Sequence, residues 1–329
     1  MTGFRRQFGK DIIWFCIAIT VLIGFLNFVG CFNNHFLRGL RLLGDEKDYD
    51  GAITEFTKAI ESNPKSEGAY WGRGTAYNIK GDYDRAIEDY NKAIELNPKY
   101  ATAYHHRGDT WDRKGNYDRA IEDYNKAIEL DHSYSEAYNN RGNAWKNKGE
   151  YGYAIRDYNK AIELSPQLAL AYSNRGNAFY FQGKFREAIP DYLKAIENNY
   201  KPKDYPYIRL LLASKKVSEE NYEKYRKEFG DYVFSQKSDE WIREISIYYL
   251  GGHKSEWHII NHIQQEKDEK KVKERLCEAY YYLGEYRLMK GDRKGAEEFF
   301  RKSIETHIHY FAEYHSSKAM LKLMAEGKL

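Results

Sequence analysis

No signature of catalysis stands in this sequence: it has no GxSxG elbow, no phosphate-cradling loop and no dinucleotide fingerprint. A metal site has little to build on. His258 and His262 lie one helical turn apart in HIINH, but the glutamate of HExxH is missing, and Ile259 and Ile260 read as the apolar stripe of a core helix. His307, His309 and His315 have no cysteine or acidic cluster at ligand spacing beside them. No catalytic residue, metal or cofactor is therefore assigned. Excess charge of one sign is missing too, with 52 lysines and arginines against 49 aspartates and glutamates, which argues against a nucleic-acid partner. Cysteines number three, at 16, 31 and 277, and no run between 203 and 276 alternates as a half-buried strand would.

What the chain has in quantity is repetition. YDRAIEDYNKAIEL occurs at 83–96 and again at 117–130. That period of about 34 residues fits two antiparallel helices and their turns, and neither helix can bury its apolar face without a neighbouring unit. Four clear units start at Glu67, Ala101, Ser135 and Ala169. Each has an aromatic fourth (Tyr70, Tyr104, Tyr138, Tyr172), glycine eighth (Gly74, Gly108, Gly142, Gly176) and an aromatic eleventh (Tyr77, Trp111, Trp145, Phe179). Glycine returns at the turn, followed by alanine at the twentieth place, tyrosine at the twenty-fourth (Tyr90, Tyr124, Tyr158, Tyr192) and alanine at the twenty-seventh. Small residues let helices touch while aromatics fill the gaps, so the tyrosines read as core rather than as a base-stacking platform. The pattern resembles the tetratricopeptide repeat. The expected fold is all-α, a superhelical solenoid of antiparallel helix pairs with a helical C-terminal region.

A looser unit at about 33–66 has a first turn one residue longer, and a weaker one runs from Cys277 to Tyr310. Residues 1–30 are expected to be a signal peptide with lipobox or an N-terminal membrane anchor, 31–202 five repeats, 203–276 a degenerate helical repeat region, and 277–329 a sixth repeat plus a closing helix. In the degenerate region Leu210 to Leu212, Trp241, Ile242, Tyr248, Tyr249 and Leu250 are expected to pack as repeat helices. Pro190 falls inside a second helix and predicts a bend there and a change of superhelical curvature. The seventh place, commonly apolar, is arginine in all four clear units, each with an aspartate sixteen residues on: Arg73–Asp89, Arg107–Asp123, Arg141–Asp157 and Arg175–Asp191. Charges at a helix contact must be paired, so these predict a structural ladder, with Arg38–Glu55 as its first rung.

The amino terminus bears on location. Arg5, Arg6 and Lys10 precede a largely apolar run from Ile12 to Gly30 that ends at Cys31. Such a start reads as a secretory signal, and FVGC resembles a lipobox in which Cys31 carries lipid. The run is also long enough to span a bilayer, which leaves an uncleaved anchor as the alternative. Either arrangement puts the repeats outside the cytoplasm. With Cys31 lipidated and Cys16 removed, Cys277 would remain as a buried packing thiol.

In the tetratricopeptide repeat the second, fifth, sixth, ninth and twelfth places of the first helix commonly line the concave wall. Carried onto this chain, the resemblance implies a groove for proteins or extended peptides lined by Trp71, Asn78, His105, His106, Asp109, Asp112, Asn139, Asn140, Asn143, Lys146, Asn174, Asn177 and Tyr180. Asparagine amides can pair with both donors and acceptors of a peptide backbone; the plainer reading of Asn143 and Asn177 is hydrogen bonding within the solenoid. A carboxylate clamp would want lysine at the fifth place, which instead holds Trp71, His105, Asn139 and Ser173. The segments DEWIREISIYYLGG at 239–252, CEAYYYLGEYRLMKGDRKGAEEFF at 277–300 and THIHYFAEYHSSKAML at 306–321, taken with the lipobox, resemble the NlpI-type bacterial lipoproteins. That resemblance implies a dimerising adaptor of the cell envelope that faces the periplasm and brings peptidoglycan hydrolases to a PDZ-containing tail-specific protease. Phe32, after the cysteine, is not the aspartate that favours inner-membrane retention. The other class weighed is a membrane-anchored assembly or secretion factor with a single-pass N-terminal helix.

Overall fold

Short polar residues stand just ahead of many helices, and they cap them. Asp48, Ser66, Asp82 and Asn116 each accept a hydrogen bond from the backbone N–H three residues on, satisfying a donor that the first helical turn leaves open. A computed structural model of the chain describes residues 34–201, 204–235, 240–252, 255–308 and 312–327. Among these residues the secondary structure is helical, with seventeen α-helices and no strand. The signal, lipobox and anchor readings of residues 1–31 lie outside the described residues. Among those described, no helix is long and apolar enough to cross a membrane.

The chain forms two compact units, one ending at Ala137 and the other beginning at Tyr138. The first contains α1 (Asn34–Arg41), α2 (Tyr49–Ser62), α3 (Glu67–Lys80), α4 (Tyr83–Leu96), α5 (Ala101–Arg113) and α6 (Tyr117–Leu130). They pack as consecutive pairs around Leu40, Leu43, Ala52, Phe56, Trp71, Ala86, Tyr90 and Ala93. After α1 the chain winds through a π-helical turn, Leu42–Glu46, and leaves it at Lys47 with φ +54°. That wider turn absorbs the extra residue of the first repeat without disturbing the packing of Phe56.

The second unit starts inside α7 (Ser135–Asn147) and continues with α8 (Tyr151–Leu164), α9 (Ala169–Phe181), α10 (Phe185–Glu197), α11 (Asp204–Val217) and α12 (Glu219–Ser235). Then come α13 (Glu240–Tyr249), α14 (Glu256–Gln264), α15 (Glu269–Met289), α16 (Arg293–Glu305) and α17 (Ala312–Ala325). In the weakly patterned stretch, Leu210, Leu211, Leu212 and Tyr249 are buried, and Tyr248 and Leu250 pack against the same core. The side chains of Trp241 and Ile242 lie outside the described set. The eighth-place glycines explain the tightness of each pair: a Cβ on Gly142 would lie 2.7 Å from the Tyr158 ring, and one on Gly284 2.7 Å from Phe300. The same sixteen-residue offset shows that α15 and α16 pack as the clear repeats do. The closing helix α17 covers both of them. Cys277 is buried there against Ser303, and burial pushes its thiol up to about 12, leaving it inert.

Pro190 sits on the exposed side of α10, which runs on as one element to Glu197. Its missing N–H costs the helix the bond to the Arg186 carbonyl, and Arg186 is itself exposed, where water can substitute.

Candidate functional site

The arginine at the seventh place projects from each first helix onto the second helix of its own pair. In the first unit Arg73 and Arg107 grip Asp89 and Asp123 with two bonds each, Nε and Nη2 donating over 2.6–2.9 Å. In the second unit Arg141 and Arg175 do the same with Asp157 and Asp191, at 2.6–2.8 Å. Each guanidinium also lies over the fourth-place tyrosine of its repeat. A remaining donor reaches one pair back: Arg73 Nη1 to Thr57 at 3.1 Å, Arg107 Nη1 to Asn91 at 2.6 Å and Arg175 Nη1 to Asn159 at 2.7 Å. One side chain thereby ties two helix pairs together, and the aspartates are consumed in structure. Burial pushes the carboxyls of Asp89, Asp123 and Asp191 up, against the pull of their arginine bonds.

The first rung differs from expectation. Glu55 is not bonded to Arg38, which is exposed; it accepts from His35 Nδ1 at 2.7 Å and Lys58 Nζ at 2.9 Å. Those two bonds hold its carboxyl down to about 2, and Arg38 adds only a more distant charge. The π-turn repeat brings nearer donors to Glu55, and they displace the longer arginine.

The thirteen residues assigned to the groove wall separate into an inner and an outer set. In the first unit Trp71, Asn78, His105, His106 and Asp109 are buried and only Asp112 is half-buried. Trp71 donates through Nε1 to His106 Nδ1 at 3.1 Å, linking α3 to α5, and His105 Nδ1 lies 3.1 Å from the Tyr134 hydroxyl. Burial, with His105 beside it, drives His106 down to about 3, so the ring is neutral, with Nδ1 as acceptor and the proton on Nε2. In the second unit Asn139 and Asn174 are buried and bonded to each other at 3.0 Å, linking α7 to α9. Tyr180 is closed off, 1 % exposed, with its hydroxyl 3.0 Å from Glu285 on α15. Asn140, Asn143, Lys146 and Asn177 are half-buried and form the accessible part of that wall. Cys31, the assigned lipidation site, lies outside the described residues.

A second ladder escapes the sequence reading. The tyrosine at the twenty-fourth place reaches back fifteen residues to the ninth place: Tyr90 to Thr75 at 3.3 Å, Tyr124 to Asp109 at 2.7 Å, Tyr158 to Asn143 at 2.8 Å and Tyr192 to Asn177 at 3.0 Å. The signal was present as a constant spacing between tyrosine and a short polar residue, hidden because these tyrosines also read as core aromatics. A buried charge cluster was missed for another reason. Arg209 of α11, 3 % exposed, is surrounded by Tyr180, Phe181, Tyr281 and Tyr282 and stands 3.6 Å from Glu285. Its partners Tyr281 and Glu285 lie far along the chain, on α15 and beyond any repeat period.

Two of the histidines set aside for metal have other partners. His258 is exposed with Nδ1 2.8 Å from Ser255, and His262 is 3.2 Å from Glu244. His309 lies outside the described residues. Among the described residues no three histidine, cysteine or acidic side chains gather as a metal site.

Models of the tetratricopeptide repeat match residues 34–66, 74–110, 113–149, 142–183 and 169–199. The repeats at these residues are tetratricopeptide repeats. The fold resembles that of PilW, a type IV pilus biogenesis factor, at TM-score 0.55 and 19% identity over 60% of this chain and 91% of that one. PilF of Pseudomonas aeruginosa is similar at TM-score 0.53 and 16% identity, over 59% of this chain and 88% of that one. The C-terminal part of a TPR repeat-containing protein from Cytophaga hutchinsonii matches 82% of this chain and 95% of its own, at TM-score 0.51 and 19% identity. At such identities the likeness is one of fold. Tetratricopeptide repeats are protein-interaction modules, and the matched residues carry that module.

Proposed function

We propose that this chain is a non-enzymatic adaptor, is anchored to a bacterial envelope membrane through lipidated Cys31, and brings peptidoglycan hydrolases to a PDZ-containing tail-specific protease. The observation that supports a binding role is the second unit's wall, where Asn140, Asn143, Lys146 and Asn177 stay accessible among side chains otherwise locked into packing. Half-buried amides on rigid helices suit an extended peptide, because they cost little ordering on binding. A scaffold of this kind acts by raising effective concentration, so it needs no reactive group. The envelope location and the named partners follow from the apolar N-terminal run with its FVGC site and from the NlpI-like segments of α13, α15, α16 and α17.

The test is an affinity pull-down of the full chain in detergent from envelopes of its own organism, comparing wild type with an Asn140→Ala, Asn143→Ala, Asn177→Ala variant. The expected result is recovery of a tail-specific protease or a peptidoglycan hydrolase, reduced in the variant. Recovery of secretion or assembly components in their place would replace this reading with that of a membrane-anchored assembly factor. Globomycin-sensitive processing at Cys31 distinguishes lipidation from an uncleaved anchor.

A further inference from the structure

The ladder from the twenty-fourth to the ninth place bears on what the second unit can recognise. An amide presents an acceptor on one side and donors on the other, so its orientation decides which chemistry faces outward. In the first unit Tyr124 meets Asp109, and a carboxylate can only accept; the tyrosine at this place is therefore a donor. The same geometry recurs at Tyr158–Asn143 and Tyr192–Asn177, where the hydroxyls point at Oδ1 over 2.8 and 3.0 Å. Both tyrosine rings are fully buried and cannot swing away. With Oδ1 engaged, the Nδ2 groups of Asn143 and Asn177 have no protein partner among the described residues, and they are not among the buried polar atoms left unpaired. They are open to solvent. Asn139 and Asn174, by contrast, spend their amides on each other and on Asn140.

We infer that Tyr158 and Tyr192 are specificity-determining residues, fixing Asn143 and Asn177 as a pair of outward N–H donors that take backbone carbonyls of an extended peptide. This rests on the peptide-binding reading and adds to it a polarity: the surface selects acceptors. The first unit lacks such a pair, because its equivalent places hold Thr75 and Asp109, both buried.

Two measurements on the full chain in detergent test it. With ¹⁵N-asparagine labelling, the Asn143 and Asn177 side-chain amide protons should exchange rapidly with water; protected signals would mean that the amides face their tyrosines with nitrogen, and would overturn the inference whether or not peptides bind. The second measurement uses decapeptides selected from a random library, each backbone amide replaced in turn by a thioamide, a weaker acceptor, or by its N-methyl form, which lacks the donor. Wild type should lose affinity about three- to tenfold for thioamides at two carbonyls, with N-methylation at other bonds tolerated. That sensitivity should disappear in the Tyr158→Phe, Tyr192→Phe variant, which keeps the rings and removes only the hydroxyls. Sensitivity to N-methylation alone, or a phenylalanine variant that behaves as wild type, would overturn the inference while leaving peptide binding intact. Failure to select any binder would overturn both.

Discussion

Acid should weaken the first unit through His106 in particular. The ring is buried between Trp71, Thr75, Tyr90 and His105, with Asp109 the nearby carboxylate, and it is held neutral with a pKa driven down to about 3. An unfolded histidine titrates near 6.5. The depressed value means that the unfolded chain takes up the proton first, so the stability this group contributes is complete above about pH 6.5 and is lost as pH falls toward about 3. Between pH 8 and pH 5 the loss from this one residue comes to about 2 kcal/mol, and it would approach about 5 kcal/mol below the folded value. The assay is urea denaturation at several pH values for wild type and His106→Asn, asparagine being what the next two repeats carry at this place. The variant will be weaker at neutral pH, because the smaller side chain gives up the ring packing against Trp71, Tyr90 and His105. Its stability should nevertheless fall by about 2 kcal/mol less than that of wild type between pH 8 and pH 5, since the linked histidine proton is gone. Parallel pH profiles for the two would refute the argument.

Three further perturbations test the packing. Gly142→Ala places a methyl group 2.7 Å from the Tyr158 ring, and overpacking should cost about 1–3 kcal/mol in chemical denaturation; an unchanged midpoint would show that the pair is loose. Arg107→Met strands the buried Asp123 and should destabilise by about 3 kcal/mol. The double variant with Asp123→Leu should recover most of that, a cycle that separates pair energy from the cost of an orphaned charge. Pro190→Ala restores a helical N–H on an exposed face and should stabilise by up to about 3 kcal/mol, whereas no gain would mean that water already replaces the missing bond.

Much of this protein is decided locally and can be read from its residues. The repeat period, the glycine-to-aromatic contacts sixteen residues apart and the Arg–Asp ladder all join places within one repeat, so a constant spacing exposes them. The same holds for the polar caps, whose bonds close within three residues. Where two neighbours compete for one partner, spacing alone misleads: Arg38 stands at the right offset from Glu55, yet His35 and Lys58 are nearer in space. The binding wall shows the same limit. Helical periodicity puts Trp71, Asn143 and Tyr180 on comparable positions of their helices, but only tertiary packing decides that Trp71 is taken by His106, that Tyr180 is covered by α15, and that Asn143 stays half open under Tyr158. Arg209 and Glu285 complete the contrast. They lie far apart along the chain in segments without a clean repeat, and each has its charge answered only because the folded chain brings α11 and α15 together around a ring of tyrosines. A period in sequence can specify contacts that recur with it; a contact made once, across unrelated helices, exists only when the whole core has closed.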